Sequence, residues 1–236
     1  MPKLLREVQA YYKKYKRDLP WRHTHDPYKI LVSEMMLQQT QVERVVPKYK
    51  AFLKEFKTAK ALAQAPLSKV LIQWQGLGYN RRGKFLHEAA KIITKDGFEG
   101  KLPGVGPYTA AAIDAFAHNK PTVFIETNIR TVFTHFCFSR RAPSAEKIGD
   151  SEILPLIEKA LKSAMKQGME PRDFYAALMD YGSYLKARGV RINSRSKHYT
   201  KQSKFEGSVR QKRAAKLRAL LQSGASDKEL EKLLNS

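Results

Sequence analysis

Two glutamates stand where a carboxyl group could take part in acid–base chemistry. Glu34 lies among apolar helix positions and directly precedes the polar run Gln38–Thr40. A partly buried carboxyl has a raised pKa and can donate a proton near neutral pH. Glu126 ends the apolar run 121–125 and precedes a helical pattern. One proton donor, together with one carboxylate that stabilises a cationic sugar, is what the hydrolysis of a glycosidic bond requires.

Each glutamate also has an interpretation that involves no chemistry. Glu34 can be a helix residue that pairs with one of the 44 lysines and arginines of the chain. Glu126 can stabilise the helix that follows it through the helix dipole, with Thr127 as the capping residue. Spacing alone leaves both interpretations open for each residue.

The stretch Leu102–Ile113 carries the second indication of a ligand. Gly104-Val105-Gly106 leads into an alanine-rich apolar segment, which is typical of a hairpin that feeds a helix N-terminus. Glycine permits positive φ and the close approach of a bulky ligand. The unpaired N–H groups at the start of a helix favour a phosphate. A turn that merely caps the helix would show the same pattern.

The charge of the chain indicates a polyanionic partner. Its 236 residues include 44 Lys and Arg against 22 Asp and Glu, a net charge of +22, yet 42% of them are apolar, as in a folded protein. Nucleic acid is the first expectation for such a protein and an anionic membrane the second. No apolar run is long enough for a membrane span or a signal peptide, so we expect a cytoplasmic protein.

The region from Lys186 to Arg218 is especially basic, with 12 Lys and Arg and one acid, Glu206, among 33 residues. It is either a solvated linker or an arm that neutralises phosphates. Under the second interpretation the DNA-contacting residues of the arm are Arg195, Lys197, Lys201 and Lys204.

Helical spacing dominates the rest of the chain, and no strand alternation or internal repeat is evident. Asp26 and Pro27 predict the N-cap and first turn of a helix that begins near Tyr28 and carries Glu34. The segments 208–222 and 226–234 predict a terminal pair of helices. The sequence therefore predicts an all-α protein.

Four stretches taken together resemble a known family. Leu19–Trp21, Ser33–Val42, Gly76–Tyr79 and Leu102–Gly106 occur in the order, and roughly at the spacing, of the helix-hairpin-helix (HhH-GPD) DNA glycosylases. The adenine DNA glycosylase branch is the most similar, chiefly through the stretch around Glu34. The resemblance covers about residues 19–137.

The resemblance implies a two-lobed all-α fold with DNA in the cleft between the lobes. We expect one lobe, a helical barrel with the hairpin, over residues 28–130. We expect the other to consist of residues 1–27 plus 131–236, including the basic arm 186–218. Duplex DNA with a damaged or mispaired base is the implied partner, bound by a monomer located at the nucleoid.

The resemblance also implies roles for individual residues. Glu34 would protonate the departing adenine, and Glu126, where the family has an aspartate, would stabilise the cationic sugar and position water. Gln38, Gln39 and Gln41 would line the base pocket or fill the gap in the base stack, and Tyr79 would contact the duplex. The remaining implied DNA contacts are Asn80, Arg81, Leu102, Gly104, Val105, Gly106, Thr109 and Asn128.

Tyr108 is the third implied catalytic residue and determines the type of reaction. It occupies the position where relatives that cleave the DNA strand carry a lysine, and a tyrosine cannot form the Schiff base that strand cleavage needs. The sequence therefore predicts a monofunctional enzyme that removes a base by hydrolysis. Slow β-elimination by a nearby lysine is left open.

The chain departs from the family pattern in four places. Glu126 is one methylene longer than the family's aspartate, and a displacement of about 1 Å can cost roughly 100-fold in rate. The segment 192–199 has no cysteine and Cys137 is the only one in the chain, so we expect no iron–sulfur cluster, with the basic arm in its place. We expect no C-terminal domain that recognises 8-oxoguanine, since the residues after the family-like part leave no room for one. The segment 96–101 is short, so either the preceding helix serves as the first helix of the hairpin or a piece is deleted.

Three functions follow as expectations. The first is removal of adenine mispaired with guanine or 8-oxoguanine. The second is excision of thymine or uracil opposite guanine, which Tyr108 also suits. The third is DNA binding with weak catalysis or none, because Glu126 and the short segment depart from the family pattern.

Overall fold

The computed structural model describes residues 1–141, 146–201 and 204–235. Its described part is helical with no strand, as predicted, apart from one isolated bridge between Ile148 and Ser196. The α-helices are α1 (Pro2–Tyr15), α2 (Pro27–Leu37), α3 (Val42–Glu55), α4 (Ala59–Gln64), α5 (Leu67–Trp74), α6 (Arg81–Asp96), α7 (Pro107–His118), α8 (Thr127–Cys137), α9 (Asp150–Lys166), α10 (Pro171–Ala187), α11 (Val209–Gln222) and α12 (Asp227–Asn235). Short 3₁₀ helices lie at Pro20–His23 and Asn193–Arg195.

Contacts divide the chain into two compact units. The first unit comprises Met1–Asp18 and Ala110–Lys201, and the second comprises Leu19–Thr109 and Gln202–Ser236. The sequence-based division was 28–130 against 1–27 plus 131–236, so the two differ most at the C-terminus. No helix in the described part of the chain is long and apolar enough to cross a membrane.

Helix α2 forms the centre of the second unit. It begins as predicted, because the Asp26 carboxylate accepts a hydrogen bond from Tyr28 N at 2.9 Å and Pro27 occupies the first turn. All side chains from Ile30 to Met36 are buried, whereas Lys29 and Leu37, near the two ends of the helix, are half-buried. A helix that is apolar all round is buried all round, so Glu34 is carried into the interior of this unit.

The predicted terminal helix pair exists, as α11 and α12, and it completes the core of the second unit. Four of its leucines pack on Leu67 and Leu71 of α5; they are Leu217, Leu230, Leu233 and Leu234. Asp227 accepts hydrogen bonds from Leu67 N at 2.8 Å and Ser68 N at 3.1 Å, so a distant carboxylate caps α5. These contacts explain why the C-terminus belongs with α5 and α6.

The first unit is organised around the contact between α8 and α10. Gly182 permits this contact, since a Cβ atom there would lie 2.4 Å from the carbonyl oxygen of Asn128. Asp180, two residues before Gly182 and 1% exposed, accepts from the backbone N of Arg17 at 3.0 Å and from its side-chain Nε at 2.5 Å. The buried carboxylate is therefore paired, and it ties the chain after α1 to α10.

Candidate active site

Glu34 and Tyr108 come together in the second unit. Glu34 is 6% exposed near the end of α2, and the Tyr108 hydroxyl in the first turn of α7 donates to its Oε2 at 3.1 Å. The two residues are 74 positions apart in the chain. A buried carboxyl oriented by a phenol is suited to proton transfer, whereas no Schiff base can form at Tyr108.

The hairpin adjoins this pair. Val105 N donates to the carbonyl of Leu102 at 3.1 Å, which closes the turn, and α6 is the helix that precedes it. Gly104 has φ 73°, and a Cβ there would lie 2.6 Å from Met35 Cε, so glycine is needed for packing against α2. A Cβ on Gly106 would meet nothing within 4 Å. Only Gly106 therefore leaves space for a ligand, and its predicted DNA contact stays a prediction.

The three glutamines after Glu34 have different environments. The Gln38 amide lies 3.5 Å from the carbonyl of Gly104, which joins the end of α2 to the hairpin. Gln39 is exposed and has φ 57°, an uncommon backbone conformation for a side chain of this type. Gln41 is also exposed. That these three glutamines line the base pocket or fill the gap in the base stack stays a prediction.

Arg82 organises the site although the sequence analysis did not single it out. Its guanidinium is buried and donates to the carbonyls of Met35 at 2.8 Å, Met36 at 3.0 Å and Gln38 at 2.5 Å, which are the free carbonyls at the end of α2. It also donates to Thr40 Oγ1 and to the carbonyls of Leu77 and Gly78 at 3.0–3.1 Å. Burial lowers its pKa to about 10.

The position of Arg82 follows from the electrostatics of the helix it caps. The carbonyl end of a helix carries partial negative charge and leaves its last carbonyls unpaired, so a cation is stabilised there without a carboxylate partner. Arg82 thus fixes the polypeptide that follows Glu34 to the turn that carries Tyr79. An arginine just after a glycine-rich turn was the only sequence signal available.

Two guanidinium groups lie over the ring of Tyr79. Arg82 is 5.5 Å from its ring centroid and Arg210 is 5.2 Å from it. Arg210 also donates to the Tyr79 hydroxyl at 2.6 Å. The φ of Tyr79 is 45°, so its backbone adopts the left-handed region to place the ring there.

The other predicted DNA contacts of the second unit vary in exposure. Asn80 is half-buried at the start of α6, and the Arg81 side chain donates to the carbonyls of Leu234 and Asn235 at the end of α12. Leu102 and Thr109 are buried, so their side chains pack inside the unit. For Thr109 only the backbone N–H, at the start of α7, is suited to a phosphate.

Glu126 lies in the first unit and is itself the cap of α8. Its Oε1 accepts from Asn128 N at 2.7 Å and Ile129 N at 2.8 Å, and its Oε2 accepts from Asn128 Nδ2 at 3.2 Å. Thr127, the expected cap, is instead the first residue of α8. Burial raises the pKa of Glu126, while these backbone hydrogen bonds and the nearby Lys186 lower it by less.

Lys186 helps to hold the hydrogen bonds around the Glu126 carboxylate. Its Nζ donates to Asn128 Oδ1 at 2.7 Å, which orients the Asn128 amide so that Nδ2 faces Glu126. Burial lowers the pKa of Lys186, and the charge of Glu126 opposes this effect. The three side chains form a connected polar group around one carboxylate.

The basic region 186–218 is divided between the two units. Arg195 donates to the carbonyls of Phe138 at 2.9 Å and Arg141 at 2.6 Å, and Lys197 pairs with Glu146. Lys201 and Lys204 are exposed. The residues before 202 thus belong to the first unit and α11 to the second. DNA contact by these four residues stays a prediction.

The residues present do not fit an iron–sulfur cluster ligated by four cysteines. Cys137 is the only cysteine, and the segment 192–199 is held instead by Arg195 and by the bridge between Ile148 and Ser196. Within the described ranges no group of His, Cys, Asp or Glu side chains could hold a metal ion. That the protein works without a cofactor stays a prediction.

Comparison with known proteins places this geometry in a family. Residues 32–151 match the HhH-GPD superfamily of base excision DNA repair proteins. Among curated relatives, the adenine DNA glycosylase of Mycolicibacterium smegmatis is 41% identical over 138 residues, which cover 54% of this chain and 47% of that protein. The adenine DNA glycosylase of Buchnera aphidicola subsp. Baizongia pistaciae is 34% identical, over 72% of this chain and 49% of that protein. The chain thus spans about half the length of these relatives.

Solved structures show the same fold. A thermostable thymine-DNA glycosylase superposes with a TM-score of 0.64 at 26% identity, over 77% of this chain and 85% of that one. A Helicobacter pylori 3-methyladenine DNA glycosylase superposes with a TM-score of 0.59 at 18% identity, over 79% of this chain and 97% of that one, and shows the fold alone. Together with the hairpin beside Glu34, these matches establish that the chain belongs to the HhH-GPD superfamily of base excision DNA repair proteins.

Proposed function

We propose that this chain is a monofunctional DNA glycosylase that hydrolyses the N-glycosidic bond of adenine mispaired with guanine or 8-oxoguanine. The observation that carries the proposal is the buried Glu34 carboxyl, held at 3.1 Å by Tyr108 beside the hairpin. Relatives named adenine DNA glycosylase, at 32–41% identity, support adenine as the base. Duplex DNA is the proposed partner, bound by a monomer at the nucleoid.

The proposed reaction uses two carboxyl groups. The target nucleotide leaves the duplex, at a cost of a few kcal/mol. Glu34 donates a proton to the adenine as the bond between the base and the sugar C1′ breaks and its electron pair leaves with the base. Glu126 stabilises the positive charge on the sugar and takes the proton from the water that adds to C1′. The products are free adenine and an abasic site.

The polar group around Glu126 supports its part in this reaction. A carboxylate fixed by two backbone N–H groups and by Asn128 has one orientation, so little reorganisation is needed when charge develops on the sugar. The longer side chain of Glu126 folds back so that its carboxylate caps α8. We therefore propose that glutamate serves here in place of aspartate.

Thymine or uracil opposite guanine is the second candidate substrate. The likeness to a thymine-DNA glycosylase, at 26% identity and a TM-score of 0.64, favours it. Tyr108 suits either reaction, since both release a base without a Schiff base.

Single-turnover base release tests the proposal. Duplexes with adenine opposite 8-oxoguanine or guanine, and with thymine or uracil opposite guanine, are incubated with excess protein and then treated with alkali to cleave abasic sites. We expect adenine release, and losses of at least about 100-fold in Glu34→Gln and in Glu126→Gln. Glu158→Gln, a change of an exposed glutamate on α9, is the matched control and keeps the original rate.

The alternatives give different results in the same assay. Release of thymine or uracil in place of adenine would replace the substrate and keep the two carboxyl roles. Tight binding of every duplex with no release would show a DNA-binding relative without catalysis. Strand cleavage before alkali would contradict the monofunctional reaction.

A further inference from the structure

Helix α11 carries a concentration of positive charge that the proposed reaction does not use. Between Val209 and Gln222 it has five Lys and Arg and no Asp or Glu; the five are Arg210, Lys212, Arg213, Lys216 and Arg218. Lys212, Lys216 and Arg218 are exposed, and Arg213 is half-buried. In the described part of the chain, Lys212, Arg213 and Lys216 have neither an ion pair nor a side-chain hydrogen bond.

This arrangement is unfavourable for a helix in isolation. Lys212 and Lys216 are four positions apart, so their like charges are neighbours on the helix surface and destabilise it. Arg210, Lys212 and Arg213 all lie in the first turns, where the dipole places its positive end and disfavours cations. A polyanion lying on this face would remove both penalties, because it supplies counter-charge at the end of the helix that already favours anions.

The basic residues of α11 lie on a helix that is held in place by packing and by an N-terminal cap. Leu217 is 2% exposed and packs with Leu67 and Leu71 of α5; it lies one helical turn after the half-buried Arg213 and points away from the exposed Lys212 and Lys216. Ser208 caps the helix by accepting from Gln211 N at 3.3 Å. Lys212 and Lys216 are therefore spaced by the geometry of a packed helix, and they do not belong to a solvated linker.

The first turn of α11 also adjoins the predicted DNA-binding turn. Arg210 donates to the Tyr79 hydroxyl at 2.6 Å and lies over its ring, and its Nη2 lies 3.5 Å from the carbonyl of Lys204. Tyr79 and Lys204 are predicted DNA contacts from separate parts of the sequence. Arg210 joins them to α11 within the second unit.

We propose that the exposed face of α11, formed by Lys212, Arg213 and Lys216, is a second binding surface for the phosphate backbone of the substrate duplex. It continues the duplex contact expected at Tyr79, and in this respect it rests on the proposed function. The surface lies outside residues 32–151, the part that matches the superfamily. It would supply affinity without sequence preference and leave the chemistry to the hairpin and the two carboxyl groups.

The test compares two variants with the same loss of charge. One is Lys212→Gln, Arg213→Gln and Lys216→Gln together on α11, where glutamine keeps helix propensity and removes the repulsion. The control is Lys159→Gln, Lys162→Gln and Lys166→Gln together, three exposed lysines of α9 in the first unit. The dissociation constant of a fluorescent duplex containing adenine opposite 8-oxoguanine is measured over a series of salt concentrations, and far-ultraviolet circular dichroism checks that both variants are folded.

We expect the α11 variant to bind at least about tenfold more weakly at low salt, and its slope of log affinity against log salt to be shallower by about two to three. The α9 control should keep most of the original slope, and single-turnover base release at saturating protein should keep its rate in both variants. An unchanged slope in the α11 variant, or equal losses in the two variants, would overturn the proposal.

The same data separate this proposal from the proposed function. If base release is normal and the salt slope of the α11 variant is unchanged, the proposed binding surface is wrong while the proposed enzymatic function stands. If the salt slope of the α11 variant is shallower but no base is released from any duplex, the binding surface stands and the proposed enzymatic function is wrong. If the α11 variant instead loses binding to phosphatidylserine vesicles while its duplex slope matches that of the control, the surface is a membrane contact and the proposal is wrong.

Discussion

At the scale of single residues, Glu126 links folding to protonation. Because burial raises its pKa in the folded protein, the folded state binds a proton more tightly than the unfolded chain does. The contribution of Glu126 to stability is therefore most favourable below the unfolded pKa, and it is lost as the pH rises through the folded pKa. At neutral pH the ionised carboxylate is held at a cost that a neutral side chain would not have.

We expect Glu126→Gln to gain stability relative to the wild type as the pH rises from acidic to neutral. Glutamine keeps an oxygen that can accept from Asn128 N and Ile129 N but carries no charge to bury. Urea unfolding of both proteins across this pH range measures the difference in the free energy of unfolding. Glu158→Gln, at an exposed position, should show no such trend. A difference that is constant with pH, or that changes in the opposite direction, would contradict the prediction.

Arg82 gives a second prediction at the residue scale. Its planar guanidinium reaches six acceptors at the end of α2, at Thr40 and in the turn before Tyr79. A lysine has three donors on a single nitrogen and cannot serve both groups of carbonyls. We expect Arg82→Lys to lower the free energy of unfolding by about 3 kcal/mol, since several buried carbonyls lose charged partners.

Urea denaturation measures this loss, with Arg44→Lys as the matched control. Arg44 is exposed on α3, and its replacement should stay within about 0.5 kcal/mol of the original stability. Equal effects of the two substitutions would show that the contacts of Arg82 contribute nothing beyond its charge.

At the scale of elements, the pairing of α8 with α10 positions Glu126. The carbonyl of Asn128, in the first turn of α8, would lie 2.4 Å from a Cβ on Gly182. Gly182→Ala improves helix propensity by about 1 kcal/mol, yet it forces the two helices apart. We expect the steric effect to win, with a net loss of about 2–3 kcal/mol and a slower release of base, because the cap of α8 moves with the helix.

Thermal unfolding and single-turnover kinetics of Gly182→Ala measure the two effects. Gly106→Ala is the stability control, because its Cβ would meet nothing within 4 Å and its φ is not in the left-handed region. A Gly182→Ala protein that is more stable than the wild type would mean that α8 and α10 can separate without penalty, and the account of their packing would be wrong.

The start of a helix could be predicted from the sequence, whereas contacts between distant segments could not. Asp26 and Pro27 correctly predicted the start of α2, because a capping residue acts on backbone two positions away. The role of Arg82 could not be predicted, since its acceptors come from segments separated by about forty positions. The same limit applied to Glu34 and Tyr108: the resemblance to a family implied a role for each residue, but the hydrogen bond between them could not be predicted, because they are 74 positions apart. Local rules define an element, whereas its partners depend on the fold.

At the scale of the whole molecule, each compact unit is assembled from two separate parts of the chain. The sequence predicted a helix over 226–234 but not the element on which this helix packs. In the structure Leu234 is 1% exposed in the cluster with Leu67 and Leu71, and the carbonyls at the end of α12 accept from Arg81. The C-terminal residues therefore close the core of a unit whose other helices lie before residue 110.

This organisation predicts that a destabilising substitution in α12 lowers the local stability of the second unit only. Leu234→Ala removes a buried side chain and leaves a cavity, with an expected loss of about 2–5 kcal/mol. Amide hydrogen exchange followed by mass spectrometry should show faster exchange in α5, α6 and α12 and unchanged protection in α8 and α10, because local stability follows local packing. Lys232→Ala, an exposed change on the same helix, is the control and should alter neither region. Equal loss of protection in both units would mean that they unfold together, and that the C-terminal helices stabilise the molecule as a whole and not the unit they pack in.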